Sequence, residues 1–222
     1  MAMITILSAK HHQFPPIHEW REEDFFEEDI VAVGGDLHAY RLLNAYKMGI
    51  FPWYDTHEPI LWWSPKRRAI LFFDRFHFSK NMHKQIRKIP YEIRYNTAFE
   101  EVIEQCQRIK RKSKGSWIHD EMLHSYTALC HLGFAKSVEV YLEGQLVGGL
   151  YGVDMGKIFC GESMFSVTSG ASKVAMYYLC ESLKRQGYYF IDCQFQNDYL
   201  ASMGAVEIKR SAFLSALRAS FY

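Results

Sequence analysis

The sequence predicts an α/β chain, more closely α+β, in which a small N-terminal domain precedes a larger one built on a mixed sheet flanked by helices. Three observations predict it. Ser137-Val138-Glu139-Val140-Tyr141 alternates as a strand does, Glu143-Gly144 supplies a turn, and Gln145 to Gly152 returns, which together make a hairpin. Lys157 to Met164, Ser172 to Arg185 and Tyr188 to Gln194 then read as strand, helix and strand, an order that lays helices on a sheet. Upstream, the stretch from Ile50 to Pro65 carries three prolines and three tryptophans and fits no regular element. We set the boundary at its end, giving domains of residues 1–66 and 67–222.

The remaining elements follow in order. Met1 to Leu7 is apolar and has no basic residue ahead of it, so it reads as a first strand rather than a signal peptide. Glu19 to Asp29 is acidic with interleaved aromatics and suits the surface. Asp36 is placed to cap a helix through Tyr46 that Gly49 ends. Ala69 to Phe73 reads as a strand, and Ser79 to Lys88 as a basic helix closed by Pro90. Thr97 and Glu100 have capping-box spacing and should open a helix reaching Lys110. Another helix spans Asp120 to Leu132, with Gly133 behind it. After Gln194 come a short helix, a strand near Val206 to Ile208, and a last helix from Ser211.

Composition narrows the function classes. With 222 residues, 49% hydrophobic and 23% charged, the chain can bury a core and is not a disordered one. A net charge of +1 gives no global attraction to nucleic acid or membrane, so such affinity must come from local patches. Five cysteines, with no C-x-x-C pair, argue against a disulfide framework and a zinc site, and for a reducing, cytoplasmic location. No apolar run approaches the ~20 residues of a membrane helix, so no membrane partner is expected.

Glu162 and Asp192 stand out because each lies in or beside an otherwise apolar strand, where a carboxylate is costly unless paired. Period-two alternation places Asp192 and Gln194 on one face, with Ile191 and Cys193 on the other. Taken singly, each carboxylate is better explained by a salt bridge or a strand end. Two of them with an amide in one half of the chain bring a functional site into equal contention.

Other signals are weaker. Gly148-Gly149 marks a bulge or a close backbone approach, and Ser169-Gly170-Ala171-Ser172 is more an N-cap than an anion site. Three basic clusters recur: Lys66, Arg67 and Arg68; Lys80, Lys84, Arg87 and Lys88; and Arg108, Lys110, Arg111, Lys112 and Lys114. They are either solvated surface or an RNA footprint. Trp53, Trp62, Trp63 and Trp117 are candidates for stacking on bases, although tryptophan is more often core. Cys193 has no indicated histidine partner and reads as a buried thiol.

Taken together, several strings resemble the leucyl/phenylalanyl-tRNA–protein transferase family. They are Val33-Gly34-Gly35-Asp36-Leu37, Ala45-Tyr46, Gly49-Ile50-Phe51-Pro52-Trp53 and Leu61-Trp62-Trp63-Ser64-Pro65, then Ser137-Val138-Glu139-Val140, Leu146-Val147-Gly148-Gly149 and Tyr151-Gly152. The resemblance continues in Phe159-Cys160-Gly161-Glu162-Ser163-Met164-Phe165-Ser166, Ala171-Ser172-Lys173, Ile191-Asp192-Cys193-Gln194, Asn197-Asp198 and Gly204-Ala205. It runs in order from about Phe14 to Leu214. Lys136 and Tyr199 depart from it, standing where the family often has histidine.

The resemblance implies an acetyltransferase-like fold for the larger domain. It implies transfer of leucine or phenylalanine, and methionine less well, from aminoacyl-tRNA to an acceptor protein beginning with Arg or Lys, which marks that protein for degradation. It places Asp192 and Gln194 at the reacting centre with Glu162 nearby. The expected role of Asp192 is to draw the amine proton, directly or through Gln194, or to orient the amine. Leu150, Phe159, Met164, Met176, Leu179 and Ile191 would wall the amino-acid pocket. Trp53 and Trp117 would lie around the terminal adenosine. Arg67, Arg68, Lys80, Lys84, Arg87, Lys110, Arg111 and Lys112 would face tRNA. An aminoacyl ester is already activated, so no cofactor or metal is expected, and the chain is expected to act as a monomer. Three activities compete with this one. Acyl-CoA transfer would need a Q-x-x-G-x-G loop, which the sequence lacks. Transfer to a cell-wall peptide would not require an N-terminal Arg on the acceptor. RNA binding without catalysis would not depend on Asp192.

Overall fold

The computed structural model describes residues 5–8, 13–14, 29–55, 57–109 and 118–221. Two sheets organise them. The smaller has the order β1-β2-β4-β3, from β1 (Thr5–Leu7), β2 (Ile30–Gly34), β3 (Phe51–Pro52) and β4 (Leu61–Trp63). The larger comprises β5 (Arg67–Leu71), β6 (Glu92–Tyr95), β7 (Ala135–Leu142), β8 (Gln145–Met155), β9 (Ile158–Ser166), β10 (Phe190–Gln194) and β11 (Val206–Lys209). Its order is β11-β5-β10-β9-β8-β7-β6. Only β9 and β10 run parallel within it, so the mixed sheet is as expected.

The helices are α1 (Ala39–Lys47), α2 (Lys80–Lys88), α3 (Phe99–Arg108), α4 (Asp120–His131), α5 (Ala171–Arg185), α6 (Asp198–Ser202) and α7 (Arg210–Ala219). One apolar core holds Leu42, Tyr46, Trp62, Ile70, Tyr126, Tyr151 and Phe213, and joins both sheets without a break. The other lies under α5 and holds Val138, Leu150, Phe159, Met176, Leu179 and Ile191. Neighbouring residues such as Leu150 and Tyr151, or Ile191 and Phe190, enter opposite cores, as a period of two requires.

Gly148 lets α5 sit directly on the sheet. A Cβ there would come within 2.4 Å of the Ala171 Cβ, so the expected close backbone approach is real. The turn at Glu143 and Gly144 has φ of 52° and 77°, the pattern of a tight hairpin.

Four expectations need correction. The stretch from Ile50 to Pro65 is not irregular: β3 and β4 pair there, and Pro52 is tolerated because β3 is an edge strand. Asp36 does not cap α1. Its carboxylate is bonded to buried Arg41 and to the His38 N–H, and His38 is the cap. Thr97 does not cap α3 either, because its hydroxyl donates to Glu139. Strand β6 has no counterpart in the sequence reading. It is a four-residue edge strand, too short for the alternation of Ile93 and Tyr95 to stand out.

Candidate active site

Strands β9 and β10 pair only from Ile158–Phe190 to Cys160–Asp192, and beyond that no ladder joins them. A cleft of ≈ 800 Å³ opens there. All six expected pocket residues line it: Leu150, Phe159, Met164, Met176, Leu179 and Ile191. They come from β8, β9, β10 and α5, so the sheet forms one wall and the helix the other.

Trp53 stands at the rim, 45% exposed, with its ring 5.8 Å from that of Trp63 and 5.2 Å from that of Phe195. The Trp63 indole N–H donates to the Trp53 carbonyl at 2.6 Å, which fixes this aromatic edge. Trp117, Lys110, Arg111 and Lys112 lie outside the described residues.

Glu162 and Gln194 both line the cleft. The Gln194 Nε2 donates to Glu162 Oε1 at 3.0 Å. Tyr46 donates to the same oxygen at 2.7 Å, and Tyr126 donates to Oε2 at 3.2 Å. The two tyrosine hydroxyls lie 2.6 Å apart. The Glu162 pKa is pushed up to about 7, chiefly by burial and further by the charge of Asp192, against the pull of the tyrosine hydrogen bonds and Arg68. A carboxyl poised there can hold or release a proton near neutrality.

Asp192 is placed differently. It is fully buried and does not line the cleft. Arg68, on β5, donates Nε to Oδ1 at 2.7 Å and Nη2 to Oδ2 at 2.6 Å. The Gln194 N–H adds a bond to Oδ1 at 3.0 Å. The Arg68 guanidinium also donates to the Gly49 carbonyl at 3.1 Å and lies between the rings of Phe51 and Phe213, 4.6 and 4.4 Å from their centres. Burial works against the cation, but the charge and hydrogen bonds of Asp192 outweigh it and raise the Arg68 pKa.

The expectation that Asp192 and Gln194 share one setting therefore fails. The register shifts between them, and Gln194 takes a left-handed backbone with φ 59°. This kink brings Gln194 to the cleft while Asp192 stays inside. A residue other than glycine in that region is costly, and such outliers gather at functional sites.

The basic residues also separate. Arg67 is 61% exposed and pairs with Glu207, whereas its neighbour Arg68 is interior and presents no charge to RNA. Lys80, Lys84, Arg87 and Lys88 line the exposed side of α2. Burial pushes the Cys193 thiol well up, as expected of a buried thiol rather than a thiolate nucleophile. Sequence reasoning missed Tyr46 and Tyr126 as partners of Glu162. Tyr46 sits in one of the family-like strings, but nothing in either local sequence signals a contact so distant in the chain.

The family model described as leucyl/phenylalanyl-tRNA protein transferase matches residues 70–218, and the model of that transferase's N-terminal domain matches residues 35–66. Proteins of the same name are similar over most of their length. That of Pseudoalteromonas atlantica is 50% identical over 96% of this chain and 89% of its own. That of Flavobacterium johnsoniae is 50% identical over 92% of this chain and 95% of its own. That of Nitrosomonas eutropha is 48% identical over 92% and 86%.

Proposed function

The chain belongs to the leucyl/phenylalanyl-tRNA–protein transferase family, and from that premise we propose that it moves leucine or phenylalanine, and methionine less readily, from aminoacyl-tRNA to a protein whose first residue is Arg or Lys. The product is marked for degradation. We take residues 1–66 as the small domain and 67–222 as the transferase domain, acting as a cytoplasmic monomer without a cofactor.

The observation that carries the reading is the cleft itself: an apolar pocket with Glu162 and Gln194 beside it and Trp53 at its rim. The pocket suits an aliphatic or aromatic side chain that is not branched at Cβ, and the flexible Met164 and Met176 can repack for either. Trp53 offers a face for the terminal adenosine of tRNA.

In the reaction the acceptor's α-amine attacks the ester carbonyl. The C–N bond forms, the ester C–O bond breaks, and the ribose oxygen leaves with a proton. The amine must attack as the neutral base, and its free pKa is ~7.7–8.0. Glu162, at about 7, lies within about a unit of it and can take the proton that the amine sheds. Gln194 orients the amine or the carbonyl. Asp192, sealed against Arg68, acts by holding the Gln194 backbone in its kink. Arg67, Lys80, Lys84 and Arg87 are exposed and meet tRNA phosphates.

The test is an acceptor-dependent transfer assay. The protein is mixed with tRNA charged with labelled leucine and with two peptides that differ only in beginning with Arg or Ala. Label on the Arg peptide alone, without ATP or CoA, is the expected result. No label on either, with the charged tRNA intact and a proven family member active in parallel, would reject the reading.

A further inference from the structure

The cleft does not use all the space beneath α5. A second cavity of ≈ 180 Å³ lies under the C-terminal half of that helix, and Phe159 and Leu179 line both spaces. The two residues are buried, 1% and 5% exposed, and come from opposite walls, β9 and α5. They form a partition one side chain thick.

The two chambers differ in chemistry. In front of the partition stand the aliphatic and thioether side chains of Leu150, Met164, Met176 and Ile191. Behind it stand Asn96, Lys136, Ser182, Gln186 and Tyr188. Lys136 and Tyr188 are both bonded to Asp154. A cavity with these donors and acceptors is large enough for water, whose share of liquid volume is about 30 Å³. The partition thus separates the apolar end of the cleft from a polar chamber.

We propose that Phe159 and Leu179 set the length and polarity limit of the transferred side chain, and that the polar chamber behind them becomes a binding annex for a phenolic or longer para-substituted aromatic side chain once Leu179 is shortened. The inference rests on the aminoacyl-transfer reading of the cleft. A tyrosyl ring entering the intact pocket meets the partition with its hydroxyl unpartnered. With the Leu179 side chain removed, the hydroxyl reaches groups that can bond it.

The experiment uses one tRNA body charged with phenylalanine or tyrosine, an Arg-initiated peptide, and the full chain. For Leu179→Ala the ratio of tyrosine to phenylalanine transfer should rise about tenfold over the unaltered protein, within the discrimination of about 10² an apolar pocket exerts against a hydroxyl. Adding Ser182→Leu, which fills the annex from outside the pocket, should return the ratio to its starting value. Leu179→Val, a milder change, should give a smaller rise and covers a poorly folding alanine variant. Binding of the non-reacting amide-linked phenylalanyl- and tyrosyl-adenosines is measured in parallel and should show the same order.

A tyrosine to phenylalanine ratio that stays flat in both folded variants overturns the proposal. So does a rise that Ser182→Leu leaves untouched. Failure of the unaltered protein to transfer phenylalanine would reject the function instead, and the binding ratios would still decide on the partition.

Discussion

Two carboxylates on neighbouring strands meet opposite fates. Asp192 is closed off, with both oxygens taken by Arg68 and one shared with a backbone amide. Glu162 opens on the cleft and is held by neutral donors alone, two tyrosines and an amide. A bidentate guanidinium fixes one carboxylate in place, whereas burial beside neutral donors pushes the other up to about 7. The same chemical group is therefore sealed in an ion pair in one place and, in the proposed reaction, exchanges a proton in the other.

The largest effect that would break this contrast is on stability. Asp192→Ala leaves the Arg68 cation buried without its partner, which typically costs about 3–5 kcal/mol. Denaturant unfolding should show that loss together with loss of transfer. A variant of ordinary stability with no activity would instead make Asp192 a participant in the chemistry.

Glu162→Gln should do the converse. Loss of a positioned proton acceptor typically lowers a rate about 10²–10⁴-fold. Single-turnover transfer should fall by that order while tRNA binding and the unfolding midpoint stay near their starting values. A variant with near-normal turnover would remove Glu162 from the mechanism.

The pH profile sharpens the contrast further. A base must be deprotonated to act, so the transfer rate should climb as pH rises through about 7, the value set for Glu162 by its burial. The tyrosine hydrogen bonds favour the charged carboxylate, so Tyr46→Phe should move that limb to higher pH. An unmoved limb would assign it to the acceptor amine, whose titration is indifferent to Tyr46.

The smallest effect separates the adjacent arginines. Arg67→Ala should change stability by less than about 0.5 kcal/mol, as expected for an exposed site. If Arg67 meets a phosphate, the slope of log affinity against log salt for tRNA should flatten by about 0.9. Arg68→Ala should instead unfold the protein readily, because it strands the Asp192 carboxylate.

Much of this was legible in the sequence, for physical reasons. The alternation from Ser137 to Gly152 and the apolar run at β10 reported the strands that build the cleft. The family resemblance brought the six pocket residues together, since all of them lie on regular elements. The misses have separate causes. Alternation assumes an unbroken strand, so it could not see the kink at Gln194. Charge alone put Arg68 with Arg67, though one residue along a strand reverses the face. Tyr46 and Tyr126 reach Glu162 from other elements, and only the folded chain brings them there.

The grip on Arg68 also bears on how the chain is made. Its guanidinium lies between Phe51 and Phe213, and Gly49, whose carbonyl it holds, packs so tightly on α7 that an added Cβ would come within 2.5 Å of Leu214. Synthesis delivers Gly49 and Phe51 early and α7 late, so the early segment leaves the ribosome without its final partner, and the aromatic cover of Arg68 is completed only after α7 has emerged. Until then the Arg68–Asp192 pair lacks one of the two aromatic rings that cover it.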